Sequence, residues 1–115
     1  MRLKNRYSFD DEIAEKFCYD SANRCIQIYF SGYFDFIVNK HIESKCKFVI
    51  CDWQQAKSKI IDREGYSSLE SNLGIISLII DAEEDGDNLK LIVNTLDDKY
   101  IELFFFSVET LVLSV

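Results

Sequence analysis

Strict alternation of apolar and polar side chains between residues 25 and 36 is the feature that most constrains the fold of this chain. Successive side chains of an extended chain point to opposite sides, so a period of two is typical of a strand with one buried face. The pattern predicts one long strand, and its glycine indicates a bend or a bulge. One face carries Ile26, Ile28, Phe30, Gly32, Phe34 and Phe36, and the other carries Cys25, Gln27, Tyr29, Ser31, Tyr33 and Asp35.

Further strands are predicted by short apolar runs between turn residues. A turn at 20–23 precedes the long strand, and residues 46–53 form a second clear strand. Gly86, flanked by Asp85 and Asp87, predicts a hairpin turn, and residues 97–99 predict another. The remaining strands are expected at 75–81, 88–96 and 100–107, with a possible last strand within 110–115.

Two short helices are also predicted. Ser8 can cap a helix over 8–17, in which Phe9, Ile13 and Phe17 recur every four residues. Asp52, with Gln55 three positions later, can cap a second helix, and its apolar face would comprise Trp53, Ala56 and Ile60. Residues 62–74 have the composition of a polar loop.

Together these elements predict an α+β fold for a single domain spanning residues 1–115. We expect an antiparallel meander of about five to six strands, with one or two short helices packed on one face. Residues 100–107 are apolar on both sides, which indicates a central strand covered by the Trp53 helix.

The charge is unevenly distributed. The net charge is −7, but residues 1–61 carry a balance of +2 and residues 62–115 a balance of −9. Such a field disfavours direct binding to nucleic acid, because phosphates would be repelled, and favours either simple solubility or a basic protein partner. No apolar run approaches the roughly 20 residues that span a bilayer, and no apolar stretch follows the basic residues at the start. A cytoplasmic protein is therefore expected.

The acidic stretch at 81–87 can be compared with a calcium loop. An EF-hand beginning at Asp81 would need a bidentate glutamate at its twelfth position, where this chain has Ile92, and its flanks are strand-like. A turn is therefore predicted, but it holds more acids than a turn needs. The surplus suggests a contact surface for a basic partner. The tyrosines of the long strand suggest a second contact surface, with burial of that face under a helix as an equal alternative.

No constellation for catalysis or metal binding is apparent. His41 is the single histidine, and no nucleophile motif, phosphate loop or dinucleotide fingerprint is present. Cys18, Cys25, Cys46 and Cys51 form no CxxC pair, so neither a cofactor nor a metal is expected. A disulfide between Cys18 and Cys25 is conceivable, but reduced thiols are preferred.

The blocks IQIYFSGYFDF and CKFVICDWQQAK, followed by an acidic hairpin and YIELFFFS, resemble small bacterial immunity proteins. These are cytoplasmic antidotes to polymorphic or contact-dependent-inhibition toxins. The resemblance implies a non-enzymatic protein that neutralises a toxin domain, often a basic nuclease. Two alternatives remain open: an adaptor or complex subunit, and a small-ligand protein with a pocket between helix and sheet. The predicted partner-binding residues are Asp81, Glu83, Glu84, Asp85, Asp87, Asp97, Asp98, Tyr29 and Tyr33.

Overall fold

The computed structural model describes Leu3 and residues 6–115. The N-terminal segment, where no secretory signal was expected, therefore lies partly outside the described residues. Strands account for 62% of the chain and helix for 4%, so the predicted α+β class is wrong and the fold is mainly β. The single described helix has four residues, α1 (Leu69–Asn72). The strands are β1 (Tyr7–Ser8), β2 (Ala14–Asp20), β3 (Cys25–Phe30), β4 (Tyr33–Asp35), β5 (Lys40–Ile42), β6 (Cys46–Cys51), β7 (Gln55–Ile60), β8 (Ser67–Ser68), β9 (Ile76–Asp85), β10 (Asn88–Thr95), β11 (Tyr100–Phe106) and β12 (Glu109–Ser114).

The strands form three antiparallel sheets instead of one meander. The five-stranded sheet has the order β8-β7-β11-β10-β9, the four-stranded sheet has the order β12-β6-β3-β2, and a small sheet has the order β1-β4-β5. The inward faces of the two larger sheets contribute to one hydrophobic core. Phe9 stacks on Phe30 and Phe48 within that core, with ring centroids 4.6 and 5.4 Å away.

The helix predicted at 8–17 is absent, and this prediction is wrong. Asp11 has a left-handed backbone with φ 64°, which interrupts any helix there. Phe9 is buried, but Ile13 is 73% exposed, so the two side chains share no face. Residues from Ala14 onward pair with β3 as a hairpin. A single short helix is marginal by itself, whereas the hairpin satisfies its backbone groups on a neighbouring strand.

The helix predicted after Asp52 is also wrong, because these residues form β7. Asp52 has φ 58°, and the chain re-enters an extended conformation that pairs with β11. Side chains alternate along β7: Ser58 is fully buried, while Lys57 and Lys59 lie on the outer face. The sequence has this period of two as well as the helical spacing, and pairing with β11 selects the strand.

The long strand predicted over 25–36 is divided at Gly32, which confirms the expected irregularity there. A Cβ at Gly32 would lie 2.7 Å from the carbonyl oxygen of Ile42, so only glycine fits. Beyond it, β4 belongs to the small sheet, and the face assignment changes. Asp35, expected on the solvent face, is only 3% exposed.

The C-terminal strands follow the prediction more closely. β9, β10 and β11 form consecutive hairpins. A turn occurs at Gly86 as expected, and the second is at Leu96–Asp97, overlapping the expected 97–99. β11 is central, between β7 and β10, but no helix in the described part of the chain covers its outer face. Trp53 instead packs against the inward-facing Phe105, with ring centroids 5.0 Å apart.

Candidate partner-binding surfaces

The acidic stretch is a tight β-hairpin. Asp85 pairs with Asn88, so Gly86 and Asp87 alone connect β9 to β10, and Gly86 adopts φ 60°. This conformation favours glycine, which has no Cβ to clash with the backbone. The turn is held to the connection between β11 and β12, because the Val108 amide donates to the Asp87 carbonyl at 2.8 Å.

The acids of this hairpin point in different directions. Because side chains alternate along β9, Asp81, Glu83 and Asp85 share the outer face of the five-stranded sheet. Glu84 lies on the opposite side of the strand, and Asp87 lies at the turn. Lys90 already pairs with Glu83, with Nζ 3.7 Å from Oε2. The predicted acidic patch is therefore divided between two surfaces.

One surface is a groove at the hairpin end, which we call the tip groove. It has a volume of about 290 Å³ and combines the turn with the start of β12. Glu109, which the sequence reasoning missed, adds a third carboxylate to Glu84 and Asp87. No local signal marks Glu109, because the connection after β11 brings it there from another part of the chain. The lining residues are Glu84, Gly86, Asp87, Asn88, Val108, Glu109, Thr110 and Leu111.

The second surface is the outer side of the five-stranded sheet, which we call the open face. On its β7 side, Lys57 lies among three aromatic rings, with Nζ 4.1, 5.5 and 5.3 Å from the ring centroids of Tyr66, Phe104 and Phe106. These distances fit cation–π contacts. The Tyr66 hydroxyl donates to Glu102, which raises the pKa of Tyr66. The apolar side chains on both sides of residues 100–107 indicated this apolar surface, but the sequence predicted that the Trp53 helix would cover it.

Asp97 and Asp98 lie in the turn at the other end of β10. Because an eight-residue strand is roughly 25 Å long, this turn is about that far from the tip groove. Asp97 accepts a hydrogen bond from the Thr95 hydroxyl at 2.5 Å, which lowers the pKa of its carboxyl group. Asp98 accepts from the Asn94 side chain at 3.1 Å. Both carboxylates thus stabilise a turn, apart from the other acids.

The two predicted tyrosines are also separate. Tyr29 lies on the outer face of the four-stranded sheet, where Lys16 and Lys47 stand 5.2 and 5.9 Å from its ring. Tyr33 packs edge-on against Tyr7, with centroids 5.4 Å apart, and burial raises the pKa of its hydroxyl. The structure therefore does not bring the predicted residues together on one surface.

Among the described residues, one thiol and two carboxylates come together where β6 pairs with the start of β12. Cys51 Sγ and carboxylate oxygens of Asp52 and Glu109 lie within 4.8 Å of one another, so these groups could approach a metal ion. Asp52 and Glu109 are exposed, as is common for carboxylates that hold no ion. Cys25 lies opposite Cys51, not Cys18, and all four cysteines are free thiols.

An open depression of about 370 Å³ lies beside α1 and is the nearest counterpart of the pocket expected between helix and sheet. Its lining is mainly apolar and includes Phe17, Tyr19 and Leu73. Its one charged group, Glu70, already accepts from the Tyr19 hydroxyl at 2.5 Å. Burial is the main reason that the pKa of Tyr19 rises to about 12.

Comparisons with known proteins add no relative. No family model, no curated protein and no solved structure matches this chain. Within the described residues, no helix combines the length and apolar character needed to cross a membrane.

Proposed function

We propose that this chain is a non-enzymatic cytoplasmic binding protein that neutralises a basic toxin domain of the nuclease type, with the tip groove as its contact site. The observation that carries the proposal is the meeting of Glu84, Asp87 and Glu109 around one concave surface. Carboxylates from two separate segments converge there, as expected if the charge serves recognition. The resemblance to immunity proteins supports a toxin as the partner.

The chemistry of the tip groove suits a lysine or arginine side chain. Val108 and Leu111 offer apolar contact to the aliphatic stem, while the carboxylates attract the charged head. Acids at such a rim mainly accelerate encounter with a basic partner, so their effect falls as salt rises.

A charge-neutralising variant tests this proposal. We would combine Glu84→Gln, Asp87→Asn and Glu109→Gln, the three carboxylates of the tip groove, and measure binding to a panel of basic nuclease toxin domains at low and moderate salt. The expected result is a lower association rate, by roughly tenfold or more at low salt, and a weaker salt dependence. The matched control combines Glu43→Gln, Asp62→Asn and Glu64→Gln, which removes the same charge from exposed positions elsewhere.

Two results would refute the proposal. Equal effects of the two triple variants would show that net charge matters and the groove does not. Absence of binding to every basic domain, together with capture of a neutral or acidic partner, would favour the adaptor alternative.

A further inference from the structure

Charge is ordered across the open face. The lysines Lys57 and Lys59 lie on β7, and the acids Asp81 and Glu83 lie on β9. With about 4.8 Å between neighbouring strands, the basic and acidic rows are separated by about 14 Å. Between them lie Phe104, Phe106 and Glu102 of β11 and Lys90 of β10. The strands on the two sides of the open face thus carry opposite charges.

The strand register aligns these groups in rows. One row contains Lys57, Phe104, Lys90 and Glu83, in that order from β7 to β9. The next contains Lys59, Glu102, Ile92 and Asp81. Tyr66 stands beside Lys57 and Lys59 and reaches Glu102, so its ring forms part of the same surface.

A two-fold axis parallel to the strands makes this surface complementary to itself. Such an axis places β7 over β9 of a second copy, and β11 over its β10. Lys57 then faces the Glu83 of the second copy, Lys59 faces its Asp81, and Phe104 faces its Lys90. The same contacts form again on the other side of the axis, as in any isologous interface. Face-to-face sheets also pack with their strands roughly aligned.

We propose that the open face is the interface of a homodimer, in which two copies pack the outer sides of their five-stranded sheets together. A uniformly basic partner would be repelled by the lysines of β7, and a polyanion would be repelled by the acids of β9. A partner with the reverse order of charge fits both rows, and a second copy supplies that order. The dimer would also cover Phe104 and Phe106 on a central strand. It leaves Asp87 and Glu109 at the hairpin end, so it is independent of the proposed function.

Charge reversal provides a decisive test. The first variant carries Lys57→Glu and Lys59→Glu, and the second carries Asp81→Lys and Glu83→Lys. We expect wild-type protein to dimerise over the micromolar to millimolar range in analytical ultracentrifugation, more weakly at high salt. Each variant alone should be monomeric, because like charges then face each other. An equimolar mixture should form a heterodimer, with affinity at least about tenfold above that of either variant with itself.

A second pair of variants leaves Lys57 unchanged, because Lys57 contacts three rings and its replacement removes those stabilising contacts. Lys59→Glu and Asp81→Lys, each as a single substitution, should weaken dimerisation, and an equimolar mixture of the two should restore it. Far-UV circular dichroism would establish that each variant is folded. The matched control, Lys40→Glu with Lys45→Glu, changes exposed lysines away from the open face and should dimerise as the wild type does. A wild type that stays monomeric throughout, or folded variants whose mixture does not associate, would overturn the proposal and assign the face to a different protein.

Discussion

At the residue scale, the ion pair between Arg6 and Asp35 holds the N-terminal segment on the small sheet. The guanidinium donates through Nη2 at 3.0 Å and through Nε at 3.2 Å to the same carboxylate oxygen. The Ile37 amide donates to the other oxygen at 2.9 Å. The hydrogen bond from Arg6 is the main reason that the pKa of Asp35 is lowered.

Replacing Asp35 by asparagine should remove part of the acid sensitivity of folding. Because the folded-state pKa lies below the unfolded value of about 4, the ionised carboxylate stabilises the protein above that pH. This stabilisation is lost as the pH falls through the folded-state pKa. Asp35→Asn should therefore lower the melting temperature at neutral pH and unfold with a shallower pH dependence below about pH 4. The prediction would be contradicted if the melting temperatures of the two proteins fell by the same amount between neutral and acidic pH.

The location of Asp35 could not be read from the sequence. Alternation placed it with Tyr33 and Ser31 on a solvent face, and it would lie there if the strand continued through Gly32. The break redirects the chain, and Arg6, the partner that makes burial tolerable, is 29 positions away. A local pattern contains neither the break geometry nor the distant cation.

At the element scale, α1 depends on its contacts with β7. A helix of four residues is not stable alone, so burial of Leu69 and hydrogen bonds from β7 must hold it. The buried Ser58 hydroxyl donates to the Ser68 carbonyl at 2.7 Å and accepts from the Asn72 amide at 3.0 Å. One small side chain thereby connects both ends of this segment to the sheet.

Ser58→Ala should loosen this segment more than the rest of the molecule. The substitution leaves the Asn72 amide without its acceptor, at a cost of about 1–3 kcal/mol. Amide hydrogen exchange over residues 67–73 should accelerate by roughly tenfold, with a smaller change in β10 and β11. Ser77→Ala is the matched control, because Ser77 donates to the Asn94 carbonyl at 3.0 Å on another part of the sheet. Equal acceleration of exchange throughout the chain would show that Ser58 supports the whole fold.

The strands differ in how well the sequence predicts them. β9, β10 and β11 have clear alternation with a glycine or acidic turn between them, so each is defined by local information. The segments that became β2 and β7 also fit a helical spacing. Their pairing strands settle the ambiguity, and for β7 that strand is β11, about 45 residues later in the chain.

At the scale of the whole molecule, the candidate surfaces combine predictable and unpredictable parts. The acidic hairpin follows from the sequence because Gly86 and its flanking acids are contiguous. Glu109 in the tip groove and the lysines of the open face do not, because the connection after β11 brings Glu109 to the hairpin and sheet order places the lysines on the same face as Asp81 and Glu83. Local composition predicts charged segments, whereas surfaces arise from the pairing of distant strands.

The two larger sheets should unfold together, because they share one core. Trp53, the single tryptophan, packs on Phe105 of the five-stranded sheet at 5.0 Å and on Tyr19 of the four-stranded sheet at 6.5 Å. Its fluorescence therefore reports on both sheets, whereas far-UV circular dichroism reports on total strand content. Their thermal unfolding curves should coincide, and Trp53→Ala, at a cost of about 3–5 kcal/mol, should shift the dichroism transition downward as a single step. Two separated transitions would mean that each sheet is stable alone and that residues 1–115 do not form a single cooperative domain.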